Sequence, residues 1–403
     1  MEVFYKIIFI LSISLFLHSY FFYPVSLEMI NLFKKKKLPK AELDEDDDLP
    51  IVSSITSVYN ESSIIELKLI SLLESDYPQS KLNVFVGSDS SVDGSDEIIK
   101  KLTLRYPNLK FFQFTQRRGK ASVINDLLDE ALNLNPKSSR HVILYNDANV
   151  ILSKKTIRKL IRNFKDEKVV LVDSRIIPEN LRKDGISKSE NKYMNLEIRI
   201  KNLEGEIWGT MMGAFGGCFS IRSTYTCKVP ENFLMDDFYI SMSALGLGGN
   251  CINDLEAKCY EGIPNQIQEE FRRKTRISAG NFQNLTVFYH FLISRPISRA
   301  YVFFSHKVLR WIGPFLLILI WLSALGLSFS NPWPYLSIFI IINLFYFIIP
   351  ITDWLLSKIG IHIKIMRGIR YFILMNFALL NGFIKFIKGI ENSAWQPPKR
   401  IVS

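Results

Sequence analysis

Three long apolar runs interrupt this sequence, and no other feature restricts its fold as much. One covers 3–23 and two more follow Trp311, each close to the ~20 residues that a helix needs to cross a bilayer. Hydrophobic residues make up 48% of the chain and 30 residues are Phe, which exceeds the content of an ordinary soluble protein. The runs therefore predict membrane helices on both sides of a soluble middle.

The residues beside the first run predict its orientation. A secretory signal is the alternative to an anchor, but the core of this run is long and aromatic, and four lysines, Lys34 to Lys37, stand where small residues would precede a cleavage site. A retained anchor is favoured, and lysines directly after a span mark the cytoplasmic side. We therefore predict a multi-pass protein of the cell inner (cytoplasmic) membrane whose soluble domain is cytosolic.

The C-terminal runs predict two spans, near 312–329 and 335–350. A third apolar segment, 372–387, has basic residues on both sides, so a crossing and an interfacial or re-entrant helix are both open. The formal net charge is +11, and the basic residues gather beside the apolar runs, where anionic headgroups would hold them. Membrane lipids are thus a predicted partner, and nucleic acid is not.

Four segments are predicted along the chain: an N-terminal transmembrane anchor at 1–25, a basic then acidic linker at 26–50, a cytosolic domain at 51–296 and a C-terminal membrane region at 297–403. The acidic part of the linker, 42–48, could imitate a metal site. Consecutive carboxylates with no fold around them are more typical of a solvated linker.

Short strands alternate with helices from Ile51 onward. Strands are predicted at 51–58, 83–86, 109–114 and 141–145, with helices at 62–73, 96–105 and 120–132 between them. This alternation predicts an α/β domain with a doubly wound, mainly parallel sheet. Ligands of such sheets bind outside the carboxyl ends of the strands, and every polar motif below follows a predicted strand.

The motifs after the first three strands suit a nucleotide. Asn60, Glu61 and Asp89 carry oxygens that can accept hydrogen bonds from a ribose or a base. The alternative is a turn with a helix cap, which we accept for Ser95, whereas Asp89 stands too early to cap the next helix. Lys120 ends the basic stretch 117–120 that opens a helix; there cations oppose the helix dipole but suit phosphate groups.

Later motifs suggest a metal and a base. Asp147 and Asn149, two apart after a buried strand, can present two oxygens to one hard cation, although Asp-x-Asn also occurs in plain turns. Asp236 and Asp237 lie beside Phe and Met, where burial of two carboxylates can raise the pKa of one toward that of a general base. The stretch 269–276 concentrates cations, which indicate either a solvated helix face or a diphosphate site.

Taken in order over 51–283, these motifs resemble those of the family-2 glycosyltransferases of the GT-A fold, which include cellulose and hyaluronan synthases and many non-processive membrane enzymes. The resemblance implies that the nucleotide is contacted by Asn60, Glu61, Asp89 and Lys120, and that Mg²⁺ or Mn²⁺ is held by Asp147 and Asn149. It also implies that Asp237 is the catalytic base, with Asp236 in the neighbouring acidic place, and that 213–217 is the acceptor-side glycine segment. The diphosphate would be bound by Arg273 and Arg276.

Two motifs depart from the family pattern. Asn149 replaces the more common second Asp of the metal motif, so the metal should be held less tightly. The Gln-x-x-Arg-Trp motif of processive synthases, aligned on Arg276, reads Arg-Lys-Thr-Arg-Ile here, without Gln and Trp. We therefore predict a non-processive enzyme.

The predicted reaction is inverting transfer of a sugar, hexosyltransferase-like, from a nucleotide diphosphate sugar to a lipid-linked or saccharide acceptor at the cytoplasmic membrane face. Two alternatives stay open. One is a processive polysaccharide synthase, which the three or four apolar segments support poorly. The other is a catalytically dead membrane scaffold that binds nucleotide sugars, which the presence of Asp147 and Asp237 argues against.

Overall fold

The computed structural model describes residues 1–34, 46–179, 187–262, 266–330 and 332–390, which form two units. The helical unit comprises Met1–Leu32, Arg182–Met194 and Asn265–Gly389, and the sheet unit comprises Phe33–Leu181 and Asn195–Pro264. Most of the predicted acidic run lies outside the described residues, as do the last residues of the chain. The predicted domain limits at 25, 50 and 296 stay predictions.

The strands of the sheet unit are β1 Ile51–Val58, β2 Leu82–Asp89, β3 Leu109–Phe114, β4 His141–Asn146, β5 Val150–Leu152, β6 Val169–Glu179, β7 Cys218–Arg222 and β8 Asn250–Gly262. They form one sheet in the order β3-β2-β1-β4-β7-β6-β8-β5. Among these strands only β7 and β5 run against the others. The predicted α/β class with a mainly parallel sheet is confirmed.

The helices are α1 Glu2–Leu17, α2 Tyr23–Phe33, α3 Ile65–Leu73, α4 Ser95–Arg105, α5 Lys120–Leu134, α6 Thr156–Ile161, α7 Ser187–Trp208, α8 Asp236–Gly246, α9 Ile267–Phe288, α10 Ile297–Val302, α11 Leu309–Trp311, α12 Gly313–Ser330, α13 Pro332–Asn343, α14 Ile349–Lys358 and α15 Lys364–Ile387. Helices α3, α4 and α5 connect the parallel strands β1 to β4, because a parallel neighbour requires a crossover.

The core of the sheet unit comes from strands that are apolar on both faces. Val84, Phe85 and Val86 are all buried in β2, and β4 is buried along its whole length, as expected where helices cover both faces of a sheet. One polar side chain inside this core, Asn146, is well paired. Asn146 at the end of β4 donates from Nδ2 to Ser54 Oγ at 2.8 Å and accepts from Thr56 Oγ1 at 2.7 Å.

Several strand ends meet at one edge of this sheet. In the parallel pairs Val58 lies opposite Ser88, and β4 ends at Asn146, which lies opposite Cys218, the first residue of the antiparallel β7. On β6, Asp173 lies opposite Phe219. The segments after β1, β2 and β4, and the glycine segment before β7, are thus brought to the same edge.

The helical unit contains the predicted spans. By length and composition, four helices in the described part of the chain could cross a membrane: Glu2–Phe33, Gly313–Ser330, Trp333–Lys358 and Lys364–Ile387. The last one contains 372–387, so that segment belongs to a helix of crossing length.

Charged groups are buried where α9 packs on α15. The Glu190 side chain, 1% exposed, accepts from Arg273 Nη2 at 2.7 Å and from Lys274 Nζ at 3.2 Å, and Tyr371 Oη also donates to it. Arg273 Nε donates to buried Glu270 at 2.9 Å. Burial alone would raise the pKa of Glu190, but the charges of Lys274 and Arg273 lower it to about 2. We name these five residues the buried charge cluster.

Candidate active site

Lys120 is the centre of the candidate site at the sheet edge. It is the first residue of α5 and follows Gly119, whose φ of 89° begins the turn from the β3 loop into the helix. Its ammonium Nζ lies 2.8 Å from Asp147 Oδ1 and 3.0 Å from Asp236 Oδ2. Two predicted site residues from separate segments, Asp147 and Asp236, therefore meet at the Lys120 ammonium.

The charge of Lys120 is fixed by these neighbours. Burial would lower its pKa, but the carboxylates of Asp147 and Asp236 outweigh that effect and raise the pKa above the ordinary value. Lys120 is therefore protonated at any physiological pH, and it offers a permanent positive charge among acidic groups.

Asp237 differs from Asp236 in its contacts. Its Oδ1 accepts the amide of Phe238 at 2.8 Å, and the residue is 6% exposed. Burial and the charge of Asp236 raise the pKa of Asp237 to about 6, against the opposing charge of Lys120. Asp237 is thus ionised at neutral pH yet more basic than an ordinary aspartate, which suits a general base.

The glycine segment 213–217 lies directly against Asp237. A Cβ on Gly216 would stand 2.5 Å from Asp237 Oδ2, and one on Gly213 would stand 2.4 Å from Phe238 Cδ2. Both glycines have positive φ, 85° and 77°, which L-residues adopt only with strain. Close approach and backbone conformation together require glycine at these two positions.

Two buried groups behind the glycine segment were missed from the sequence. Asp173 Oδ2 accepts the Phe215 amide at 2.9 Å and Asn253 Nδ2 at 3.2 Å, and burial raises its pKa to about 7 against the charge of Lys201. Lys201 Nζ lies 3.6 Å from the centre of the Phe215 ring. Burial lowers the pKa of Lys201, opposed by the charges of Asp173 and Asp237. An aspartate inside the apolar run of β6 was the available signal.

Asp89 and Asn60 shape the loops around Lys120. Asp89 accepts the amides of Arg118 at 2.7 Å and Gly119 at 2.9 Å, one on each carboxylate oxygen. Asn60 has φ of 51°, and its side-chain oxygen accepts the amide of Val92 at 2.9 Å. Both residues are therefore in loop-stabilising positions, and their predicted contact with a nucleotide stays a prediction.

The hydrogen bonds of Glu61 and Ser95 differ from the helix cap that was predicted for Ser95. The Glu61 amide donates to Ser95 Oγ at 3.0 Å, and Ser95 Oγ donates to Asp93 Oδ1 at 2.6 Å. Gly94 is the N-cap residue of α4, so capping by Ser95 was wrong: Ser95 is already the first helical residue. The role of Glu61 toward a nucleotide stays a prediction.

The donor atoms near Asp147 and Asn149 suit a hard divalent cation. The Asp147 side chain is 32% exposed, and Asn149 Nδ2 donates to Glu261 Oε1 at 2.8 Å, so two carboxylates and an amide lie at this turn. In the described part of the chain no three His, Cys, Asp or Glu side chains group as a complete metal site. Such a partial set fits Mg²⁺, which takes one or two carboxylates and completes its shell with phosphates and water.

Arg273 and Arg276 lie on α9 of the helical unit. Arg273 belongs to the buried charge cluster, where it pairs with Glu190 and Glu270. Diphosphate binding by these two arginines stays a prediction.

Models of two related families match the chain. Glycosyl transferase family 2 matches residues 53–226, and Glycosyl transferase family group 2 matches residues 142–349, more than half of the chain. Both matches include the turn with Asp147 and the glycine segment.

Relatives in two organisms are similar to parts of the chain. A beta-monoglucosyldiacylglycerol synthase of Nostoc sp. is 25% identical over 152 residues, which are 37% of this chain and 31% of that protein. Glycosyltransferase AglE of Haloferax volcanii is 32% identical over 83 residues, which are 21% of this chain and 27% of that protein. The matched segments thus span about a third or less of these two relatives.

One solved structure resembles nearly the whole chain. Mannosyltransferase PcManGT from Pyrobaculum calidifontis, in complex with GDP-Man and Mn²⁺, aligns with a TM-score of 0.67 at 19% identity. The alignment covers 94% of this chain and 99% of that one. This likeness establishes a GT-A fold.

Proposed function

Because the chain belongs to the family-2 glycosyltransferases, we propose that it transfers a sugar, with inversion, from a nucleotide diphosphate donor to a lipid-linked or saccharide acceptor. The observation that carries this proposal is the convergence of Lys120, Asp147 and Asp236 beside the basic carboxylate of Asp237. One cation for a diphosphate and one base for a hydroxyl are what a single displacement needs.

Asp237 is the proposed base. Its carboxylate takes the proton of an acceptor hydroxyl as the hydroxyl oxygen forms a bond to the anomeric carbon. The bond from that carbon to the diphosphate oxygen breaks at the same time, and the diphosphate leaves with the electron pair. Since one displacement inverts the configuration, no sugar becomes attached to the protein.

Lys120 and Asp236 support this step in different ways. The permanent charge of Lys120 stabilises the negative charge that develops on the leaving diphosphate. Asp236 accepts from Lys120 and, by its own charge, keeps the pKa of Asp237 raised. Asp236 thus both orients the cation and raises the pKa of the base.

A divalent cation, Mg²⁺ or Mn²⁺, would be held by Asp147 with Asn149, where it would neutralise charge on the diphosphate. The Pyrobaculum mannosyltransferase was solved with GDP-Man and Mn²⁺, so GDP-mannose with Mn²⁺ is the first donor to test. The Nostoc relative is named as a synthase of a glucosyl diacylglycerol, so diacylglycerol is the first lipid acceptor to test.

We further propose that transfer occurs at the cytoplasmic face of the inner membrane. The lysine at the end of the first apolar helix, Lys34, and the basic residues of 358–370 support a cytosolic sheet unit by the positive-inside rule.

The test is incubation of membranes that contain the protein with a panel of labelled nucleotide sugars, followed by lipid extraction and analysis of product length. We expect one labelled nucleotide sugar to yield a product extended by a single sugar. A ladder of products would favour the processive synthase instead. Absence of both transfer and free nucleotide with every donor and metal would support the catalytically dead scaffold.

A further inference from the structure

An apolar groove of about 560 Å³ lies within the helical unit, among α9, α14 and α15. Its apolar lining consists of Ile267, Phe271, Pro350, Ile351, Trp354 and Leu374. The volume is within the range of about 300–1,000 Å³ that is typical of small-molecule sites. None of the residues proposed for sugar transfer lines it.

One wall of the groove is firmly packed. Ile267, Phe271 and Leu374 pack on the buried side chains of Tyr371 and Met375. Tyr371 in turn donates to Glu190 in the buried charge cluster. The wall is therefore held in place from behind by ion pairs and a hydrogen bond, as a binding site requires.

Positive charge gathers at the same groove. Arg272 lines it with a side chain that is 80% exposed, and its acidic neighbour Glu269 is 3.7 Å away. Arg370 also lines it and lies 3.3 Å from buried Asp353. On Trp354, the ammonium of Lys358 lies 3.7 Å above the ring. These three cationic side chains outnumber the two carboxylates, so the groove carries a net positive charge.

The groove lies at a junction between two candidate spans. The candidate span Trp333–Lys358 ends with α14, and the candidate span Lys364–Ile387 is α15. Only a few residues therefore separate two helices that could cross the membrane. Basic residues at such a junction belong at the depth of lipid headgroups, with the apolar residues deeper.

We propose that this groove binds one anionic phospholipid. Its acyl chain lies along Phe271, Ile351 and Leu374, and its phosphate is bound by Arg272, whose planar guanidinium matches phosphate oxygens. Charge complementarity favours an anionic over a zwitterionic headgroup. The inference does not depend on sugar transfer, because it requires only the helical unit.

Trp354 provides the test, since bromine on an acyl chain quenches nearby indole fluorescence. The full-length protein is placed in phosphatidylcholine vesicles in which one fifth of the lipid is brominated phosphatidylglycerol or, for comparison, brominated phosphatidylcholine. The same measurement on Trp354→Phe gives the quenching of the other tryptophans, which is subtracted from that of the wild type. We expect Trp354-dependent quenching to show an about five-fold preference for phosphatidylglycerol, as one basic residue at a membrane surface can provide.

Arg272→Gln should bring this quenching down to the phosphatidylcholine level. Arg272 is largely exposed, so the substitution should leave the fold intact. Arg295→Gln, which removes the same charge from an exposed residue outside the groove, is the matched control and should leave the preference unchanged. Equal quenching by both lipids, or a preference that Arg272→Gln does not reduce, would overturn the proposal in favour of contact with bulk lipid only.

Discussion

The surroundings of one carboxylate, Asp237, set it apart from its neighbour Asp236. Asp236 is paired with Lys120, whereas the carboxylate of Asp237 accepts the Phe238 amide and lies against Gly216. Burial and the charge of Asp236 raise the pKa of Asp237. These differences support the proposal that Asp237 is the base and that Asp236 has a supporting role.

Replacement of the base gives the first prediction. Asp237→Asn keeps the size of the side chain but removes proton acceptance, so we expect transfer to fall by the ~10² to 10⁴-fold typical of a lost general base. Donor affinity should hardly change. The measurement is initial transfer rate beside donor affinity, with Asp236→Asn as the comparison and a smaller loss expected there. Transfer near the wild-type rate in Asp237→Asn would exclude it as the base.

The pH profile is the second prediction. Because Asp237 acts as the deprotonated form and its pKa is about 6, kcat/KM should be lost as pH falls through about 6 and should level off above it. Asp236→Asn removes the charge that raises this pKa, so the acidic limb should move to lower pH. A limb that stays in place, or moves upward, would contradict the proposed coupling of the two carboxylates.

The metal motif gives the third prediction. Asp147→Ala should abolish donor turnover at any Mg²⁺ or Mn²⁺ concentration, whereas Asn149→Asp should retain activity, and at lower metal concentration. The structure adds a reason: in Asn149→Asp a second carboxylate would replace the amide that donates to Glu261, and a cation between them would relieve the repulsion. Activity is measured over a metal titration; full wild-type activity in excess chelator would defeat the assignment.

Part of the candidate site could be predicted from the sequence alone. Lys120, Asp147 and Asp236 could be predicted because each follows a recognisable strand or opens a helix, and they do meet. Asp173 and Lys201 were missed, because their contacts with Phe215 arise only from tertiary packing, and the one sequence signal was an aspartate within the apolar run of β6. The contact of Asp89 with two amides of the β3–α5 loop likewise depends on tertiary packing.

Among the elements, the glycine segment before β7 connects the two halves of the site. The Asp147 amide donates to Gly217 O at 3.0 Å, and Gly216 lies against Asp237. Two adjacent glycines of the segment thus contact the predicted metal motif and the proposed base. Any change in its path should displace both.

Gly216→Ala is the fourth prediction. The added Cβ would clash with Asp237 Oδ2, so we expect transfer to fall at least about ten-fold as the base is displaced. Gly248→Ala is the matched control, because Gly248 also has positive φ, 89°, but no atom lies within 4 Å of its added Cβ. Both variants should lose about 1–2 kcal/mol of unfolding free energy from backbone strain. Equal transfer rates in the two variants would contradict a positioning role for the segment.

Element boundaries were predictable where strands and helices alternate. The sequence predicted β1 and β3 at their observed limits, since branched and aromatic residues define them. Strand β2 continues beyond the predicted end to Asp89, because Gly87 and Ser88 pair with β1 despite a low intrinsic strand preference. The reversal of β7 within the sheet has no local signal in the sequence.

At the scale of the whole molecule, the membrane arrangement is the fifth prediction. With the N-terminus outside and the sheet unit in the cytosol, a membrane-impermeant thiol reagent applied to intact cells should label Ser330→Cys, at the end of α12, but not Leu104→Cys. Leu104 is 90% exposed on α4, so lack of labelling there would reflect location rather than burial. Permeabilised cells provide the control. Labelling of Leu104→Cys from outside would overturn the arrangement.

The buried charge cluster has a consequence for biosynthesis. Glu190, Arg273 and Tyr371 are separated by about eighty to a hundred residues from one to the next, yet they share one set of bonds. During translation the charge of Glu190 is therefore neutralised only when Arg273 and Lys274 of α9 have been synthesised, and its last partner, Tyr371, arrives with α15. Assembly of the cluster is thus completed only after α15 has been synthesised, and a chain that stops before α15 would leave Glu190 without the hydrogen bond from Tyr371.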